Sequence, residues 1–250
     1  MQSKFFNHQG ASLHYQIGGK EAASVMVLLH GGFGSIADFE PLLPRLLQHY
    51  RVIAVDTRGH GRSTLGTTAL TYAQAADDVR QILRNESVEN YSLFGFSDGG
   101  ITAYRLGAED ENVEKIITVG AEWHQKHLNR VRSMFEALNL NIVKEKLSEQ
   151  LAAYQAANPE PDAEKWIATL KAMWLDESVS GYPNESVREI AANVLAIRGE
   201  ADFLLAFDDW VELKTELPYV HLMNVPFAVH EAIKEQPEII WAAVQAFQAL

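Results

Sequence analysis

The chain is predicted to be an α/β protein with a mostly parallel sheet and helices on both faces. Three observations carry this expectation. Six short β-rich runs, most of them continuously apolar, lie at Val25 to Leu29, Arg51 to Val55, Tyr91 to Phe94, Lys115 to Val119, Asn193 to Ile197 and Tyr219 to Met223. Unbroken apolar runs of this length are the pattern of strands covered on both sides. Helix-length amphipathic stretches fall between them, at Ile36 to Gln48, Tyr72 to Asn85, Gly99 to Ala108, Phe207 to Glu216 and Pro237 to Ala249, so successive strands can return parallel through crossover helices. Finally, 250 residues that are 47% hydrophobic and 22% charged can bury about 70–75% of their unfolded surface, enough for a core without metal or disulfide staples.

The elements follow in order. Lys4 to His8 and Ser12 to Ile17 alternate around Gln9 and Gly10 and read as a hairpin at the sheet edge, bringing the strand count to eight. The strand Val25 to Leu29 runs into His30-Gly31-Gly32-Phe33-Gly34, and Arg51 to Val55 runs into Asp56-Thr57-Arg58-Gly59-His60-Gly61-Arg62-Ser63. Tyr91 to Phe94 leads through Gly95-Phe96-Ser97-Asp98-Gly99-Gly100 into a helical pattern. After the sixth strand the alternation breaks. Residues 123–187 hold no strand-like run but carry aromatics among helix formers, with prolines at 159, 161 and 183 as punctuation. We read them as an insertion of three or four helices, with the core domain formed by residues 1–122 and 188–250.

Composition narrows the function. The chain has no cysteine, so thiol nucleophiles, thiolate metal sites and disulfides are excluded. Its formal charge of −12, with no basic cluster, argues against nucleic acid as a partner. No run of signal-peptide or membrane-spanning length occurs, and the expectation is a cytoplasmic protein without membrane association.

The stretch Gly95 to Gly99 matches G-x-S-x-G between a strand and a helix, the context that motif requires. A sharp strand-to-helix turn crowds the residues two before and two after the serine, so both are glycine and the serine is held where a substrate can reach it. With 13 serines and 16 glycines in the chain, roughly 0.05 such matches arise by chance. A serine hydroxyl needs a histidine to take its proton and a carboxylate to orient that histidine. Asp202 follows the strand Asn193 to Ile197 and His230 follows Tyr219 to Met223, both at strand carboxyl ends, and Ser97, Asp202, His230 is the chain order such a triad takes in these sheets.

These motifs resemble the α/β-hydrolases with a helical cap, over essentially the whole chain. The resemblance implies an eight-stranded, mostly parallel sheet with the cap inserted after strand 6. It also implies an oxyanion loop at His30 to Gly34 and a D-x-R-G-x-G-x-S turn at Asp56 to Ser63. The Ser97-Asp98-Gly99-Gly100 elbow and the His221-Leu222-Met223 stretch are similar to the biphenyl-hydrolase-like and valacyclovirase branch. Oxyanion donors would be the backbone N–H of Asp98 and one from the glycine loop, Gly32 or Phe33. The family commonly has glycine just before the histidine, where this chain has Val229.

The expected activity is serine hydrolysis of a small carboxylic ester, or of an amide or thioester, through an acyl-enzyme, with no metal or organic cofactor. A cofactor-free lyase or carbon–carbon hydrolase on the same scaffold is the alternative, and a ligand receptor a more distant one. Asp98, Trp123 and Phe203 are the candidate substrate contacts. The Asp98 carboxylate either pairs with a substrate ammonium or complements the helix N-terminus, and we favour the latter. His30, Arg58 and His60 are read as loop-organising. His124 and His127, beside Glu122, are read as a solvated cap face rather than a metal site. Glu122 stands well behind Asp202 as the acid.

Overall fold

The computed structural model describes residues 1–249. Eight strands form one sheet: β1 (Gln2–His8), β2 (Ala11–Gly19), β3 (Val25–Leu29), β4 (Arg51–Val55), β5 (Tyr91–Phe96), β6 (Val113–Val119), β7 (Asn193–Gly199) and β8 (His221–Val225). Their order is β1-β2-β4-β3-β5-β6-β7-β8. The β1–β2 hairpin is antiparallel and β2 joins β4 antiparallel; every later pairing is parallel.

Alternate residues of the central strands enter two different cores. Val27 and Leu29 of β3, Ile53 and Val55 of β4, and Val194 and Ala196 of β7 face one side. Met26 and Leu28, Val52 and Ala54, and Leu195 and Ile197 face the other. Period-two geometry sends neighbours to opposite faces, so a strand sandwiched by helices is apolar throughout. The first face is covered by α2 (Tyr72–Asn85), α3 (Asp98–Glu109) and α8 (Phe207–Glu216); the second by α1 (Leu43–His49), α9 (Ala232–Glu235) and α10 (Pro237–Gln248).

Between β6 and β7 the chain forms α4 (Arg132–Ala137), α5 (Leu140–Lys146), α6 (Ser148–Ala157) and α7 (Ala163–Trp174), flanked by 3-10 turns at Gln125–Arg130 and Asn184–Glu189. Asn139 and Asp162 cap α5 and α7 with their side chains. Pro159 and Pro161 separate α6 from α7, because proline has no N–H to continue a helix.

Two expected elements differ. The helix expected over Ile36 to Gln48 is a 3-10 turn at Ile36–Phe39 followed by α1, broken at Pro41 and with Pro44 inside its first turn. The last strand starts at His221, not Tyr219: Pro218 and the Val220 N–H to Leu217 carbonyl bond hold a turn, and pairing with β7 begins at Leu195↔His221. Among the described residues, no helix is long and apolar enough to cross a membrane.

Candidate active site

Ser97 sits between β5 and α3 with φ 50° and ψ −117°, a conformation costly for a residue with a Cβ. The turn is fixed by sterics on every side. A Cβ on Gly95 would lie 2.4 Å from the Gly99 carbonyl oxygen, and one on Gly99 would lie 1.9 Å from that of Leu29. The Ser97 N–H donates to the Val119 carbonyl across the sheet at 2.8 Å. Glycine at 95 and 99 is therefore demanded by close backbone approach, as the motif predicts.

The structure brings Ser97, His230 and Asp202 together although they are up to 133 residues apart. Ser97 Oγ lies 3.0 Å from His230 Nε2. His230 Nδ1 lies 3.0 Å from both Asp202 oxygens, and a carboxylate only accepts, so Nδ1 carries the proton and Nε2 offers its lone pair to the serine. Asp202 is buried and also accepts the Leu204 and Leu205 N–H groups at 2.9 and 3.1 Å. The imidazole packs against the Phe96 ring at 5.2 Å and the Phe203 ring at 6.4 Å. Such an arrangement can draw the proton from the hydroxyl as it attacks an electrophile and return it to a leaving group.

Arg198 builds the loop that presents the carboxylate. Its guanidinium donates to the carbonyls of Leu205, Glu200 and Asp202 and to Asn224 Oδ1. Sequence reasoning assigns it no role; the available signal is a lone charge inside the apolar run of β7. Gly120 is a second such residue. With φ 61°, a Cβ there would lie 3.0 Å from the His230 ring and 3.1 Å from Asp202 Oδ2. Val229, just before His230, is accommodated: its N–H donates to Glu235 Oε2 and its carbonyl packs where Gly199 has no side chain.

The glycine loop after β3 is closed by the Gly34 N–H bond to the Gly31 carbonyl, and Phe33 takes φ 57°. Among the described residues, the N–H groups of Gly32, Phe33 and Asp98 have no protein acceptor. His30 organises this loop as expected: its ring bonds the Gly31 carbonyl at 2.7 Å and accepts the Thr57 N–H at 3.0 Å. Arg58 makes two 2.6 Å bonds to Asp78, and His60 Nδ1 reaches the Arg58 carbonyl. Burial would raise the Asp56 carboxyl, yet the His14 hydrogen bond, His30 and the Arg62 and Ile36 amides hold it below the usual range.

Asp98 lies in the first turn of α3, and its carboxylate is held by donors from two other helices. It makes no capping bond to the helix amides; Oδ1 accepts from Tyr72 Oη at 2.9 Å and Oδ2 from Trp174 Nε1 at 2.8 Å. The carboxylate thus ties α2 to α7 behind Gly32, where a Cβ would lie 2.6 Å from Asp98 Oδ2 and 2.8 Å from the Trp174 ring. Burial pushes the Asp98 carboxyl above its ordinary value, against the opposing effect of its two donors and of His230 and His30. Sequence alone points to neither Tyr72 nor Trp174 as its partner, since both lie far away along the chain.

Two further expectations are corrected. Trp123 is not a surface for substrate: it is 1% exposed, its indole N–H donates to the Asp209 carbonyl, and it packs edge-on against His124 and His127. His124 and His127 are not on a solvated face either. Both are 8% exposed, because the insertion folds them against Trp123 and α8. His127 bonds Glu122 at 2.7 Å and Glu212 at 3.3 Å, so Glu122 is engaged there instead of at His230. Glu122, His127 and Asp209 bring ligand-type atoms within 4.8 Å of one another; His127 already takes up Glu122, and Arg130 pairs with Asp209. Phe203, by contrast, is 58% exposed beside His230.

Comparison with known proteins agrees with this architecture. The family described as alpha/beta hydrolase fold matches residues 24–144. The chain is 27% identical over 248 residues to 3-oxoadipate enol-lactonase 1 of Acinetobacter baylyi, covering 93% of this chain and 91% of that protein. It is 24% identical over 251 residues to 2-(acetamidomethylene)succinate hydrolase of Mesorhizobium japonicum, covering 91% and 89%. Among solved structures, the enol-lactonase of Burkholderia xenovorans superposes with a TM-score of 0.76 at 18% identity, covering 99% of this chain and 100% of that one.

Proposed function

From the α/β-hydrolase fold that this chain has, we propose that it is a serine hydrolase that cleaves a small carboxylic ester through an acyl-enzyme. The observation that carries the reading is the continuous hydrogen-bonded line from Ser97 Oγ through His230 to Asp202. Ser97 attacks the ester carbonyl while His230 Nε2 takes its proton; His230 then protonates the leaving alcohol. Asp202 holds the imidazole in the tautomer this requires and stabilises its charged form. The negative oxygen of the tetrahedral intermediate faces free N–H groups, that of Asp98 at the start of α3 and that of Gly32 or Phe33. Water repeats the sequence on the acyl-enzyme, with His230 again as base.

Relatives of this chain are named as an enol-lactonase and as a 2-(acetamidomethylene)succinate hydrolase, and the ester reading follows the first. Two relatives are named as enol-lactonases, and a lactone is a cyclic ester. A free carboxylate beside Ser97 would favour esters bearing an ammonium. The Asp98 carboxylate already accepts from Tyr72 and Trp174, which favours uncharged alkyl esters instead.

The test is hydrolysis of p-nitrophenyl acetate and butyrate by wild type and Ser97→Ala. The variant is expected to lose at least about 10⁴-fold in kcat while keeping its unfolding transition. Undiminished turnover by the variant would refute the assignment. Incorporation of solvent oxygen into the acid product separates hydrolysis from lyase chemistry.

A further inference from the structure

We propose that Trp166 and Trp174 of α7 are positioning residues for the reaction: they clamp the Phe33 ring and so keep the Gly32–Phe33 segment turned with its N–H groups toward the developing oxyanion. This rests on the serine-hydrolase reading above. It adds that the helices between β6 and β7 act on the chemical step as well as on access to Ser97.

The segment has little else to hold it. Among the described residues, no backbone hydrogen bond is made by Gly32 or Phe33; the loop closes around them through the Gly34 N–H to the Gly31 carbonyl at 3.1 Å. Phe33 has φ 57°, a left-handed conformation that a residue with a bulky side chain keeps only when its surroundings impose it. Left to itself, the chain would trade this φ for an unstrained one, and that rotation turns the peptide planes of the loop and re-aims their N–H groups.

What imposes the conformation is aromatic. The Phe33 ring meets Trp166 edge-on, 4.9 Å away at 88°, and Trp174 at 5.5 Å and 73°. The two indoles stand eight residues apart on α7, just over two turns, which puts both on one face of the helix, and both are buried. Each is backed by another helix. Trp166 stacks on Tyr154 of α6 at 4.0 Å, and Trp174 lies 4.8 Å from Phe135 of α4 while its N–H is spent on Asp98. The Trp174 ring and the Asp98 carboxylate also close on Gly32, where a Cβ would lie 2.8 and 2.6 Å from them. The segment is thus pinned at both residues: at Gly32 by contact with its backbone, and at Phe33 by a ring held between two indoles. Edge-on aromatic pairs add to simple burial, and two of them offset the cost of the left-handed φ.

The experiment is steady-state hydrolysis of p-nitrophenyl butyrate by the full chain, as wild type, Phe33→Ala, Phe33→Gly, Trp166→Phe and Trp166→Leu. Phe33→Ala removes the ring but keeps the cost of a left-handed φ, and is expected to lower kcat about 10- to 100-fold with KM within about three-fold of wild type. Phe33→Gly removes the ring and the cost together, so its kcat is expected to stand at least about three-fold above that of Phe33→Ala. Trp166→Leu is expected to lose about 3- to 10-fold in kcat, and Trp166→Phe, which keeps an edge-on ring, no more than about two-fold. Inhibition supplies a second readout. An alkyl trifluoromethyl ketone bonds its carbonyl carbon to Ser97 Oγ, the hydroxyl proton passes to His230 and the carbonyl electron pair becomes a bound oxyanion; its inhibition is expected to weaken in step with kcat/KM, while that of the matching alcohol stays unchanged. Any of three results overturns the proposal: Phe33→Ala within about two-fold of wild type in kcat, Phe33→Gly no better than Phe33→Ala, or a loss carried by KM and by the alcohol's inhibition with kcat kept, which would make the ring a substrate contact. Should Trp166→Leu fail to fold, the Phe33 pair, whose ring is only half-buried, still decides the matter. A wild type without turnover, or turnover that survives Ser97→Ala, refutes the serine-hydrolase reading itself; Ser97-dependent turnover unmoved by the Phe33 variants refutes the clamp alone.

Discussion

The bridge that Asp98 makes between α2 and α7 can be dismantled one hydrogen bond at a time. Tyr72→Phe and Trp174→Phe each keep a ring in place and delete one of the two donors to the carboxylate. A hydrogen bond to a charged group contributes about 1.5–3 kcal/mol to stability, so each substitution is expected to lower the unfolding free energy by that amount. For a chain of this length the loss corresponds to roughly 3–12 °C in Tm. Asp98→Asn differs in kind. Its amide oxygen can accept from Trp174 while its NH2 donates to Tyr72 Oη, preserving the bridge without the charge. Its cost is therefore expected to fall below that of either donor deletion. Tyr72→Phe combined with Trp174→Phe leaves the carboxylate with neither donor, and their effects should not add, because both act on one group. Urea unfolding followed by circular dichroism gives all four numbers. The reasoning is refuted if either donor deletion costs less than about 0.5 kcal/mol, the range of an ordinary surface change, or if Asp98→Asn costs more than both.

Other expectations follow from the same geometry. Asp202→Asn, which permits the wrong imidazole tautomer, is expected to lower kcat about 10⁴-fold near pH 7 on the best p-nitrophenyl ester, with KM changed little. Gly120→Ala places a Cβ against His230 and Asp202 at a left-handed φ; steady-state kinetics should show a loss of about 10²-fold in kcat from misplacement of the ring. For His60, burial lowers the folded pKa to about 3 from an ordinary 6.5. The unfolded chain therefore takes up a proton below pH 6.5 that the folded chain refuses until about pH 3. Stability from this group is full above pH 6.5 and is lost on acidification, at up to about 1.4 kcal/mol per pH unit. Unfolding free energies measured between pH 7 and pH 4 should fall less steeply in His60→Gln than in wild type, by a slope of about one proton.

Much of the fold is legible in the chain because the forces that set it are local. Continuous apolar runs such as Val25 to Leu29 bury both faces wherever they lie in the sheet, and that requirement alone separates them from the amphipathic helices. The glycines at 95 and 99 announce a backbone packed too tightly for a side chain. Legibility fails where partners are distant. Nothing near Trp123 says that its indole will be closed over by α8, nor that His127 will meet Glu122 and Glu212 in a buried cluster. The break of the first helix at Pro41 was available as a local rule; the later start of β8 depends on pairing with β7 as well as on Pro218.

Residue types and spacing by themselves determined an α/β sheet, a strained serine between strand and helix, and an aspartate and a histidine at the ends of two late strands. Only the tertiary structure decided that these three side chains meet within hydrogen-bond distance, that Arg198 and Gly120 shape their surroundings, and that Asp98 spends its oxygens on Tyr72 and Trp174. The physical reason is range. Helix and strand periodicity, and the exclusion of a Cβ from a tight turn, act over a few residues, whereas a hydrogen bond between Ser97 and His230 depends on how the order β5-β6-β7-β8 lays their loops side by side.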